Sequence, residues 1–97
     1  MLTFTPDFER FTFAETATEV RRIVNKSICK ITFTKVDGTL RTFERATTDL
    51  GNIPSDKQPK GDPIVKDPLQ IRVFVMELNE WRSFKIDLLK IIEIVPK

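Results

Sequence analysis

At Ile28 the spacing of apolar residues changes from three or four to two, and that switch limits what the chain can fold into. Beyond it, Cys29, Ile31 and Phe33 alternate with Lys30, Thr32 and Thr34, the pattern of a strand with one buried face. Asp37-Gly38 follows and predicts a type I′ hairpin turn, because that turn needs positive φ at both central residues. Residues 39–45 return as the partner strand, and their imperfect alternation suggests a β-bulge.

Before the switch, residues 1–27 read as a helical segment. Thr5-Pro6 fits a cap with proline at the first helical position, and Phe4, Phe8 and Phe11 stand four and three apart. Thr12-Phe13-Ala14-Glu15 fits a capping box, in which hydroxyl and carboxylate satisfy free backbone donors. Phe13, Ala17, Val20 and Val24 make a second stripe facing a core. Thr12, Thr16 and Thr18 are weak helix formers, so this helix must lean on tertiary packing.

After the hairpin, residues 28–54 end in turn chemistry from Thr47 to Pro54, with room for one helical turn. Residues 55–68 hold three prolines, three lysines and three aspartates with no apolar period, which predicts a long loop that is functional or disordered. Residues 69–97 predict a three-stranded meander. Its strands are Gln70 to Leu78, Trp81 to Ile86 and Lys90 to Val95, with turns at Asn79-Glu80 and Asp87-Leu88-Leu89. All of this belongs to a single domain over residues 1–97, since a chain this short buries only about 60–65% of its unfolded surface. A helical segment and about five short strands are too few for two sheets. The predicted class is therefore mainly β, a small five-stranded SH3-like or Sm-like barrel preceded by a helix, because closure removes exposed strand edges.

Two stretches carry a resemblance. Residues 31–41, with Thr34-Lys35-Val36-Asp37-Gly38-Thr39-Leu40-Arg41, and Trp81-Arg82-Ser83-Phe84 with Val73-Phe74 resemble the signatures of a family of small bacteriophage proteins. That family has a WYL-type, Sm-like SH3 barrel, and the resemblance covers about Ile28 to Ile94. The chain departs from it at Val75, where the family tends to carry Asp, and at Glu44-Arg45-Ala46-Thr47, which is one residue longer than usual. The resemblance implies a barrel and a phage origin. WYL-type domains are associated with nucleic acid or nucleotide ligands held by arginines, and Arg41 and Arg82 match the family's arginine positions.

The residues themselves exclude much chemistry. There is no histidine, so Ser/His and Cys/His catalysis is impossible, and one cysteine with no histidine argues against zinc. Cys29 is in phase with Ile31 and Phe33, which predicts a buried thiol; it can form no internal disulfide and suits a reducing cytoplasm. Asp49, Asp56, Asp62 and Asp67 lack the spacing of a calcium loop and read as solvated charges. No apolar run is long enough for a membrane span. The chain is thus expected to be a cytoplasmic protein without enzymatic activity, cofactor or metal.

Net charge is only +2 and no segment is strongly basic, so electrostatics permits nucleic acid without demanding it. The candidate interface is Lys35, Arg41, Arg45, Trp81, Arg82 and Lys85, with Phe84 as a second aromatic residue interleaved among the cations on the strands. The competing reading puts Phe84 in the core and Trp81 over the barrel end, with the arginines paired to Asp37, Glu44 or Asp87. Three functions follow. One is nucleic-acid binding, the second is interaction with a host protein, and the third is a structural role in which strand edges join barrels into a homo-oligomer.

Overall fold

The computed structural model describes residues 2–59 and 67–96. Among these residues six strands and one helix occur in the order β1 (Thr3–Phe4), α1 (Phe13–Lys26), β2 (Cys29–Thr34), β3 (Leu40–Thr47), β4 (Gln70–Val75), β5 (Glu80–Lys85) and β6 (Leu89–Ile94). Single 3₁₀ turns lie at Leu50–Asn52, Ser55–Lys57 and Ile86–Leu88. The strands form one antiparallel sheet in the order β1-β6-β2-β3-β4-β5. It is a strongly bent, barrel-like sheet that is not closed: among the described residues β5 pairs only with β4, and β1 only with β6. No helix among the described residues is long and apolar enough to cross a membrane.

The helix begins where the capping box puts it. Thr12 is extended (φ −71°, ψ 164°), its Oγ1 accepts from Glu15 N at 3.0 Å, and Glu15 Oε1 accepts from Thr12 N at 3.0 Å. The Thr12 backbone N–H, and after it the Thr12 side chain, hold the Glu15 carboxyl below its ordinary value. An extended Thr12 also stops any helix from running through it, which corrects the expectation of helix from Thr5-Pro6 onward. Thr3 and Phe4 instead pair with Glu93 and Ile92 as a sixth strand, and Phe11 N closes a turn on Asp7 O. A spacing of four and three cannot distinguish helix from a short strand and a turn when the edge of β6 offers ladder bonds.

Ala17, Val20 and Val24 bury one face of α1 against β3, β4 and the Ile86–Leu88 turn. Phe13 departs from the predicted stripe and is exposed. The core beneath the helix is built from Ile31, Val73, Ile86 and Ile92, each fully buried. Each such side chain contributes about 1.5–3 kcal/mol relative to exposure. At its far end the helix is tied to the sheet, since Val24 O accepts from Thr47 Oγ1 and from Thr48 N, both at 2.9 Å. That satisfies a carbonyl the helix cannot pair itself.

The β2–β3 hairpin has its turn at the predicted place but of a different type. Lys35 N donates to Thr39 O at 2.7 Å and Gly38 N to Lys35 O at 2.9 Å, which makes a three-residue loop, Val36-Asp37-Gly38. Only Gly38 has positive φ (+92°); Asp37 does not. This is a turn followed by a glycine bulge rather than a type I′ turn, and the loop gains one residue. Asp37 turns its side chain to Thr39, accepting from its N (3.0 Å) and Oγ1 (2.7 Å).

The bulge suspected in β3 is present. Cys29 faces Ala46 and Ile31 faces Phe43, so β2 advances two residues where β3 advances three. A bulge turns successive N–H groups to one side. Here Glu77 takes both, with Glu44 N at 2.5 Å from Oε2 and Arg45 N at 3.0 Å from Oε1. The four residues that looked one too long for the family contain this extra position.

Of the predicted loop 55–68, residues 60–66 lie outside the described residues. The rest is anchored: Gln58 Nε2 donates to Leu50 O and Ile53 O, both at 3.1 Å.

Candidate functional site

Because the sheet does not close, a seam remains between β5 and the tip of the β2–β3 hairpin. A groove of about 580 Å³ occupies it. One wall is Lys35, Val36 and Asp37 at the hairpin tip, with Arg41 on β3; the other is Arg82, Ser83 and Lys85 on β5. Phe33, Phe43 and Phe84 form the floor, with Phe33 5.0 Å from Phe43 and stacked 5.6 Å from Phe84, centroid to centroid. All three rings are buried, so the floor is an apolar seat rather than a row of free rings.

Four of the six candidate residues, Lys35, Arg41, Arg82 and Lys85, therefore converge on one groove although 50 residues separate the first from the last. The hairpin supplies the first two and β5 the others. Arg41 stands opposite Phe33 in the ladder, with its guanidinium 5.9 Å from the Phe43 ring. Arg82 stands opposite Val73 in the ladder and pairs with Glu80. Among the described residues no ion pair engages Lys35, Arg41 or Lys85. Among the described residues Asp37 is the one acidic residue in the lining, and its bonds from Thr39 hold its carboxyl below the ordinary value. The described residues thus line the groove with four cations and one anion in a molecule of net charge +2.

Arg45 and Trp81 lie elsewhere. Arg45 sits in the bulge, where its N–H donates to Glu77 and its carbonyl accepts from Met76 N at 2.7 Å. Trp81 is opposite Phe74, on the other face of β5 from Arg82. Its Nε1 donates to Lys57 O at 2.6 Å, its ring meets Phe74 edge-on at 5.8 Å, and the Arg72 guanidinium lies 5.2 Å from its centroid. Half-buried and occupied on several sides, it fastens the loop after β3 to the sheet. The Phe33 and Phe43 floor was not marked as functional from sequence, because both alternate in phase with core residues and nothing local says that the sheet opens beside them.

Elsewhere the polar groups have structural roles. Cys29 is fully buried, its Sγ lies 3.6 Å from Ser27 O, and burial pushes the thiol up to about 11. Asp49 caps the Leu50–Asn52 turn through Gly51 N and Asn52 Nδ2, and Asp67 accepts from Leu69 N at 2.9 Å. Asp62 lies outside the described residues. Among the described residues no three carboxylates or thiols gather as a metal would require.

No curated protein and no solved structure matches the chain. A family model does: residues 20–90 match WYL_2, described as having an Sm-like SH3 beta-barrel fold. The match spans α1 from Val20 through β2, β3, β4 and β5 into the start of β6, so both walls and the floor of the groove lie inside it. The bent open sheet and this match agree, and the chain belongs to the WYL_2 family of Sm-like SH3 barrels.

Proposed function

We propose that this chain is a non-enzymatic accessory protein that binds single-stranded nucleic acid in the groove between the β2–β3 hairpin and β5. The observation that carries the reading is the convergence of Lys35, Arg41, Arg82 and Lys85 around an apolar floor. Phosphates would lie along the cationic rims, and a base would rest against the floor and Val36. Arg82 can leave Glu80 for a phosphate, because an exposed ion pair contributes only about 0–1 kcal/mol. With its aromatic rings buried, such a site draws its affinity mainly from charge, so binding should depend steeply on salt and weakly on sequence. The setting that the resemblance implies, a bacteriophage protein in the cytoplasm of a bacterial host, is part of this proposal.

Fluorescence anisotropy with a labelled single-stranded oligonucleotide tests it. Four phosphate contacts at about −0.7 each give a log–log salt slope near −3. Arg41→Ala and Arg82→Ala should each weaken binding and flatten the slope by somewhat less than one unit. Failure of the folded protein to bind at about 50 mM salt, where even non-specific binders show affinity, overturns the reading.

A second reading, docking of a host protein segment, is favoured by the edge of β5. Among the described residues this strand is paired on one side only, and its open side borders the groove. An extended segment could add there as a further strand. Binding of a peptide but no oligonucleotide would select it.

A further inference from the structure

Three phenylalanines within six residues stand out of the fold. Phe8 is 37% exposed, Phe11 49% and Phe13 43%, although phenylalanine is among the residues most often buried. Phe8 meets Phe13 edge-on at 4.8 Å, and between them in the sequence the Arg10 guanidinium lies 5.9 Å from the Phe11 ring. Each ring offers on the order of 100 Å² to solvent, so together they approach the few hundred Å² at which an apolar patch marks a contact surface. Asp7, Glu9 and Glu15 flank these rings in the sequence, and Arg10 is the lone cation among residues 2–20, which hold four carboxylates with Glu19. This N-terminal lobe is aromatic and acidic. The groove is floored by aromatics and rimmed by cations.

We propose that the acidic aromatic lobe of one copy docks in the basic groove of a second copy. Charge complementarity selects the occupant, since Asp7 and Glu9 would meet Arg41, Arg82 and Lys85 while Phe8 or Phe11 enters above the phenylalanine floor. The contact has to form between copies. The lobe is anchored on both sides, by the pairing of Thr3 and Phe4 with β6 and by α1 in the core, and none of its residues lines the groove of its own chain. Lobe into groove is a head-to-tail contact, so it either closes into a ring or runs on as a chain of copies. It also sets self-association against nucleic acid, because both need the same cations. This inference uses the groove described under the proposed function, but the two fail separately.

Sedimentation velocity at low salt, from about 10 μM to about 1 mM, covers the range in which a small polar contact forms. The average mass should rise with concentration and return to that of the monomer when salt is raised. Two variants, each checked for folding by circular dichroism, separate the halves of the contact. Phe8→Ser with Phe11→Ser lacks the lobe, and Arg41→Glu with Lys85→Glu lacks the groove charge. Each alone should remain a monomer, and a mixture of the two should form a 1:1 complex, since one supplies an intact groove and the other an intact lobe. The lobe variant should bind an oligonucleotide at least as tightly as the unchanged protein, with a gain of a few fold at concentrations where self-association competes. A protein that stays monomeric throughout, or a mixture that forms no complex, overturns the proposal and leaves the oligonucleotide result standing.

Discussion

Gly38 offers a clean test of how the groove is built, because its replacement changes backbone strain and almost nothing else. Its φ is +92°, in the region disfavoured for L side chains, and a Cβ placed on it would meet nothing within 4 Å. No steric clash with neighbours therefore contributes. Left-handed strain for an ordinary residue is about 1–2 kcal/mol. Against this, alanine stiffens the unfolded chain and returns about 0.4–1 kcal/mol. The net loss for Gly38→Ala is thus near 1 kcal/mol, equivalent to a fall of about 4–8 °C in Tm for a domain this size. Gly38→Val should lose more, because a β-branch adds its own restriction. Gly38→Asn should lose least, since asparagine tolerates this region. A D-alanine introduced at the position by chemical synthesis should raise Tm, because it favours positive φ and the space is open. Thermal and urea unfolding measure all four. An Ala variant with unchanged Tm, or an Asn variant as damaged as Val, refutes the account of the turn. The same variants should lower oligonucleotide affinity at temperatures where they remain folded, since Lys35 and Val36 are placed by this loop.

Other consequences can be checked as directly. Cys29 should resist a thiol reagent in native buffer and react on denaturation. Its thiol is raised from 9.0 to about 11 in the folded state, so the folded protein holds the proton more tightly. Stability from this group is complete below pH 9 and is lost as pH rises toward 11, by on the order of 2–3 kcal/mol; a Cys29→Ala variant should not show that loss. Thr12→Ala removes the cap of α1 and should cost about 0.5–2 kcal/mol, read from urea midpoints. Trp81→Phe keeps the ring against Phe74 but deletes the bond to Lys57 O, so it should loosen residues 55–58 to proteolysis with little change in the salt slope of oligonucleotide binding. Weaker oligonucleotide binding at an unchanged slope would return Trp81 to the interface as a ring on which a base stacks.

The features legible in the sequence are those written in short-range chemistry. The capping box announced the start of α1, alternation announced β2, and the broken alternation of residues 39–45 announced the bulge. Cys29 fell on the buried face because its phase with Ile31 and Phe33 is unambiguous. The failures came where a neighbour decides. Phe4 reads as helical until β6 is beside it, and Asp37-Gly38 reads as a two-residue turn until Lys35 and Thr39 fix a longer loop. The candidate site divided in the same way. Resemblance and charge singled out Arg41 and Arg82, but whether cations from the hairpin and from β5 share a groove depends on the seam in the sheet. Alternation does not keep Trp81 out of the groove, since Ser83 and Lys85 share its strand face and do line it; what holds Trp81 away is its place near the start of β5, against Phe74 and Lys57.

The position of β6 also governs when the fold can form. This strand, made last, is inserted between β1 and β2, made first. During synthesis the nascent chain carries Cys29–Thr34 with one edge bare and Thr3–Phe4 with no partner until Leu89–Ile94 emerges. Joining the two ends of the sequence demands loop closure over most of its length, which places the protein among slow folders rather than fast ones. A ribosome-bound chain stopped short of Leu89 would thus present an unfinished sheet, open to premature pairing with another chain.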